Sequence, residues 1–133
     1  MEDYFSDLSI ENGINKIKNS IIYEVKKTIK KINFRDESDI IAIFKDIYSV
    51  TTLRIIFIIN DWDYVLKCKK YDKKSINRYL NFLNSFIKNK DYVYLTFITR
   101  NLPLKNYEIE SYLAKGFTEY SLSSPGWMAK YRS

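Results

Sequence analysis

The chain contains no histidine, no glutamine and a single cysteine, Cys68. The first absence excludes histidine-based triads and the usual zinc sites. The lone cysteine excludes an intrachain disulfide. Long apolar runs are also missing: the longest, "IIFII" at 55–59, is far short of the ~20 residues that span a bilayer. The opening "MEDYFSDLS" is too acidic for a secretory signal. These features lead us to expect an intracellular, cytoplasmic protein with no membrane association and no metal. At 133 residues, with 46% hydrophobic and 17% aromatic content, one domain over 1–133 is expected to bury a core of its own.

The formal charge of +6 raises the question of a polyanionic partner, since clustered Lys and Arg displace counterions from a phosphate backbone. Here the lysines are spread over several elements, and Lys, Asn, Ile, Tyr and Phe make up much of the chain, as A+T-rich codons would produce. A solvated basic surface accounts for the charge, and weak, non-specific nucleic-acid binding is the most it supports.

Ile10, Ile14, Ile17, Ile21, Val25, Ile29 and Ile32 recur at spacings of three and four and predict a helix with one buried stripe, capped by Ser9. After "RDES" at 35–38, Ser38 is positioned to cap a second helix turning Ile40, Ile41, Phe44 and Ile47 inward. "LRIIFII" (53–59) and "DYVLKCK" (63–69) flank "NDW" and read as a hairpin. Ser75 would cap a helix carrying Ile76, Tyr79, Leu80, Leu83 and Ile87 on one face, before the strand "DYVYLTFITR" (91–100). Strands apolar on both faces belong inside a covered sheet, so 53–59 and 92–98 are expected as interior neighbours joined by the crossover helix. Asn106 then caps a short helix ending at Gly116, Phe117–Leu122 is a strand, and Pro125-Gly126 turns the chain into "WMAKY". The expected fold is α/β (α+β): two N-terminal helices, then a mixed central sheet with helices on both faces.

Three stretches bear on chemistry. "KDYVYLTF" (90–97) resembles the nucleic-acid-binding strand of the RNA-recognition-motif family, with Tyr92, Tyr94 and Phe97 at the stacking positions; the alternative is that the tyrosines pack beneath a helix. Asp61, Asp63, Lys67 and Lys69 resemble a metal-dependent nuclease site, but Lys67 stands where its second acid belongs, and two aspartates in a tight turn also bond local amides. "YLAKGF" (112–117) with "WMAK" (127–130) resembles the GNAT acetyltransferases, in which a Tyr precedes a Gly-Phe pair and the chain closes on an aromatic-Met-x-Lys strand.

The GNAT resemblance covers roughly residues 61–132. It implies acetyl coenzyme A as cofactor and Tyr112 as the general acid that protonates the departing thiolate. The cofactor's pyrophosphate would fall to "DKKSIN" (72–77), hence to Lys73, Lys74, Ser75 and Asn77. There the chain departs from the family, because Asp72, Ser75 and Asn77 replace the expected Arg or Gln and the two glycines. The resemblance thus implies a small GNAT-like domain, either an acetyl-coenzyme A-dependent acyltransferase or a degenerate, non-catalytic relative; the alternative is a non-enzymatic basic binding protein contacting nucleic acid or a protein partner.

Overall fold

The structure is a computed structural model that describes residues 1–99 and the short segments 119–120 and 131–132. The described residues form a mixed α/β arrangement. Contacts divide the chain into two compact units, Met1–Asn101 and Leu102–Ser133.

In the first unit a short helix, α1 (Glu2–Phe5), precedes the long α2 (Ile10–Thr28). Ser9 caps α2 as the sequence predicts, its hydroxyl accepting the Asn12 amide at 3.2 Å. Ile10, Ile14, Ile17 and Ile22 turn inward. Gly13 has a specific reason to lack a side chain: a Cβ there would collide with the Phe5 ring and lie 2.8 Å from the Tyr4 carbonyl oxygen. The glycine therefore seats α1 on α2, and Phe5 is fully buried with its ring edge-on to Tyr79 at 5.3 Å.

Helix α3 (Ile40–Thr51) is capped by Asp39, whose carboxylate accepts the Ile41 amide at 3.0 Å. Ser38 instead bonds Asp36, which corrects the expected cap by one residue: the carboxylate reaches the first-turn amide from a position closer to the helix. Ile43 is buried and Ile41 only half-buried, so the inward stripe is rotated from the expected one. Arg35 ties the preceding loop down, its backbone amide and guanidinium both donating to the buried Asp46 carboxylate, at 3.0 and 2.7 Å.

β1 (Ile55–Ile59) and β2 (Val93–Ile98) are parallel neighbours, joined through α4 (Tyr64–Lys67) and α5 (Lys73–Ile87). Ile56 lies opposite Leu95, Phe57 opposite Thr96, Ile58 opposite Phe97 and Ile59 opposite Ile98, with a register shift at Ile55/Ile56. Inward from the sheet, Phe57 meets Phe44, Phe86 and Tyr92 at centroid distances of 4.8, 5.4 and 6.4 Å. This aromatic cluster joins α3, α5, β1 and the residue that leads into β2. Such edge-to-face and tilted pairs add about 0.5–1.5 kcal/mol each beyond area burial.

The expected hairpin is absent: residues 64–67 form a helical turn rather than a returning strand. Asp61 has φ 55, which turns the chain as β1 ends, and the Asp63 carbonyl accepts from the Leu66 and Lys67 amides. On a helical turn Lys67 lies four residues beyond Asp63 and brings its ammonium to within 3.9 Å of that buried carboxylate. In an extended strand those two side chains would be more than 10 Å apart along the chain. The helical turn thus brings Lys67 within ion-pairing reach of Asp63, a contact that an extended strand would forfeit.

In the second unit β3 (Glu119–Tyr120) pairs antiparallel with β4 (Tyr131–Arg132), Glu119 opposite Arg132 and Tyr120 opposite Tyr131. Glu119–Tyr120 falls within the strand expected over Phe117–Leu122 and Tyr131 at the end of the expected "WMAKY" strand, while the Pro125-Gly126 turn lies outside the described residues. The expected helix after Asn106 lies outside the described residues.

Candidate functional site

Three places on the first unit bear on function, and each begins with a local rule. At the start of α5 the N-cap is Asp72, not Ser75. The Asp72 carboxylate accepts the Ser75 amide at 2.8 Å, as a short acidic side chain does at the head of a helix. That amide and the Ser75 hydroxyl hold the Asp72 carboxyl below its usual value. Lys73 and Lys74 are exposed, Ser75 and Asn77 half-buried. The Asn77 amide oxygen is out of contact with solvent. The residues expected to cradle a pyrophosphate thus share one helical turn, but the protein's own carboxylate occupies an amide that a phosphate would use. Tyr112, the expected general acid, lies outside the described residues.

The second place is the corner where β1 ends, the carboxyl-terminal end of a parallel strand pair and so a favoured ligand position in open α/β sheets. The Asp61 amide donates to the Thr99 hydroxyl at 2.8 Å and the Trp62 amide to the Thr99 carbonyl at 3.0 Å. Trp62 and Asp63 are fully buried. The Tyr79 hydroxyl donates to the Trp62 carbonyl at 2.6 Å. Burial, reinforced by the Asp63 and Asp61 carboxylates, pushes the Tyr79 phenol well above its usual value. Lys67 reaches Asp61 at 3.4 Å as well as Asp63. Among the described residues no cluster of three or more His, Cys, Asp or Glu is placed to hold a metal. The corner is built as an ion-paired junction that fixes the loop between β1 and α5.

The third place is the outer face of the β1–β2 sheet, where the structure departs most from expectation. On this face Ile56 with Leu95 and Ile58 with Phe97 are 53, 45, 67 and 52% exposed, and nearby Leu53 and Tyr94 are exposed as well. Among the described residues both strands are therefore covered on one face and open on the other, against the expectation that they are interior on both sides. The strands' unbroken apolar character carried the signal, but burial and an exposed apolar interface require the same residues. Of the three aromatics matched to an RNA-binding strand, Tyr92 is buried and donates to the Phe86 carbonyl at 2.7 Å, leaving Tyr94 and Phe97 outside.

Among the described residues no helix is long and apolar enough to cross a membrane. Comparison with family models, curated proteins and solved structures returns no match.

Proposed function

We propose that this chain is a non-enzymatic binding protein that engages a protein partner through the outer face of the β1–β2 sheet. The observation that carries this reading is the exposed set Ile56, Ile58, Leu95 and Phe97, two directly paired couples in the sheet register. Parallel sheets are ordinarily covered on both faces, and contiguous apolar patches mark interaction sites. The aliphatic majority of the face favours protein over nucleic acid, which calls for aromatic platforms bordered by cations. Nucleic-acid binding by the dispersed lysines is then weak and sequence-independent, with dissociation constants of roughly 10⁻⁴ to 10⁻⁶ M. The test is photo-crosslinking from benzoylphenylalanine placed at Ile58 in living cells. A defined protein adduct, lost on adding Phe97→Asp, supports the reading; the same adducts from the exposed helix position Ser49 would refute it.

A second reading, an acetyl-coenzyme A-dependent acyltransferase related to the GNAT enzymes, draws support from the parallel β1–α5–β2 unit with Lys73 and Lys74 at the head of its helix. In it Tyr112 protonates the leaving thiolate, and Lys73, Lys74, Ser75 and Asn77 meet the pyrophosphate. Isothermal titration with millimolar acetyl coenzyme A decides it. Heat that disappears in Ser75→Glu supports the enzyme, and absence of heat removes it.

A further inference from the structure

Helix α1 (Glu2–Phe5) is a single turn, and one turn costs more chain entropy than its hydrogen bonds return. It stands because the rest of the protein holds it. Of its side chains only Phe5 is buried, its ring edge-on to Tyr79 of α5 in the space that Gly13 leaves on α2. The other bonds that hold the segment go to its main chain. Lys70 donates to the Phe5 and Ser6 carbonyls at 3.1 and 2.6 Å, and Lys16 to the Asp3 carbonyl at 2.7 Å. The Tyr71 hydroxyl proton is shared between the Phe5 and Leu8 carbonyls, each at 2.6 Å.

The seat of α1 thus reads one aromatic ring and four backbone carbonyls. This is how proteins read a docked peptide: main-chain hydrogen bonds supply affinity and a side-chain pocket supplies selectivity. The seat is also the weaker part of the unit. Helix α2 buries four isoleucines and α5 six side chains along their lengths, against one for α1. Lys16 and Lys70 are exposed, so water replaces their bonds at little net cost. Segments with few buried contacts open locally while the core stays folded.

We propose that α1 is a separable strap, a peptide ligand held in cis, and that its seat is a socket for a short segment presenting one aromatic side chain and the carbonyls that follow it. When the strap lifts, the Tyr79 ring loses its Phe5 cover. The Tyr79 hydroxyl donates to the Trp62 carbonyl at 2.6 Å, so the socket adjoins the corner beyond β1, at the carboxyl end of the parallel strands, where open α/β sheets favour ligands. The same residues then serve two states: closed on α1, or open to a competing aromatic segment.

Native-state hydrogen exchange of the full chain tests the strap, and a peptide tests the socket. The Tyr4 and Ser6 amides, bonded within the segment to the Met1 and Glu2 carbonyls, should exchange by local opening, about 100-fold or more faster than the amides buried in α5. Lys70→Ala combined with Tyr71→Phe should speed them several-fold further and leave α5 exchange unchanged. In the full-length Phe5→Ala variant, the synthetic peptide MEDYFSDLS, residues 1–9, at up to about 1 mM should shift the amide resonance of Gly13 and those flanking Tyr79. The same peptide carrying Phe5→Ala should not, and the wild-type chain, whose seat is filled, should respond at least several-fold more weakly. Exchange of α1 at the rate of α5 overturns the proposal, because α1 would then open only with the whole fold. An unfolded Phe5→Ala variant, or a folded one that ignores the peptide, overturns it as well, making Phe5 ordinary core in the first case and denying the socket in the second.

Discussion

Asp72 accepts the Ser75 amide at 2.8 Å, so the head of the crossover helix is closed by the protein's own carboxylate. Its depressed pKa means that the folded state favours the ionised form. The resulting stability is present above the unfolded carboxylate value of 3.8 and is lost as pH falls through the lower folded value. Asp72→Asn keeps a capping oxygen but removes the charge. Wild type should melt higher than Asp72→Asn at pH 6, and the gap should close in thermal scans below pH 3.8. A gap unchanged by acid would show that the carboxylate's charge is irrelevant to the cap.

Gly13 supports Phe5 by having no side chain. Alanine in a helix interior is ordinarily favoured over glycine by ~1 kcal/mol. Here the added methyl must displace the Phe5 ring, and overpacking of this kind costs about 1–3 kcal/mol. Gly13→Ala should therefore lower stability by about 1 kcal/mol in urea titration and speed amide exchange in α1. A stabilised variant would show that α1 is loosely seated.

Tyr79 and Tyr92 are buried phenols donating to the backbone carbonyls of Trp62 and Phe86. Burial holds both pKa values above the usual 10, with nearby Asp63 and Asp61 adding to the effect on Tyr79, and Asp39 to that on Tyr92. The stability they contribute is fully present below pH 10 and is lost as pH rises through the folded values. Absorbance at 295 nm should show these two phenols ionising only with cooperative alkaline unfolding. Tyr79→Phe, which leaves the Trp62 carbonyl without this donor, should cost about 1–3 kcal/mol at neutral pH.

Periodicity made α2, α3, α5 and the strand pair legible, because three-and-four spacing and apolar runs are local features of a chain. Caps were readable only to within a few residues: Ser38 and Ser75 are plausible caps in sequence, yet Asp39 and Asp72 hold the amides. The turn of α4 was hidden because "DYVLKCK" is rich in strand-forming residues, while the contacts of Lys67 with Asp63 and Asp61 that accompany the turn are made across space. Least legible was the environment of the sheet. "IIFII" specifies a strand that shuns water on both faces, but not whether its second cover comes from the same chain or another. Lys73, Lys74, Ser75 and Asn77 do gather on one turn, while the closing of the Ser75 amide by the Asp72 carboxylate is a contact in space that the order of residues does not display.

The central claim is that neighbouring residues of one strand face opposite surroundings: Phe57 the aromatic core, Ile58 an apolar face open among the described residues. The direct measurement is chemical denaturation of Phe57→Asp and Ile58→Asp. Phe57→Asp should lose several kcal/mol and fail to fold, as a buried charge without a partner requires. Ile58→Asp should lose about 1 kcal/mol, the scale of β-propensity at an exposed position. Equal, severe destabilisation by both would contradict the account, because it would place Ile58 in the interior and leave no apolar face to receive a partner.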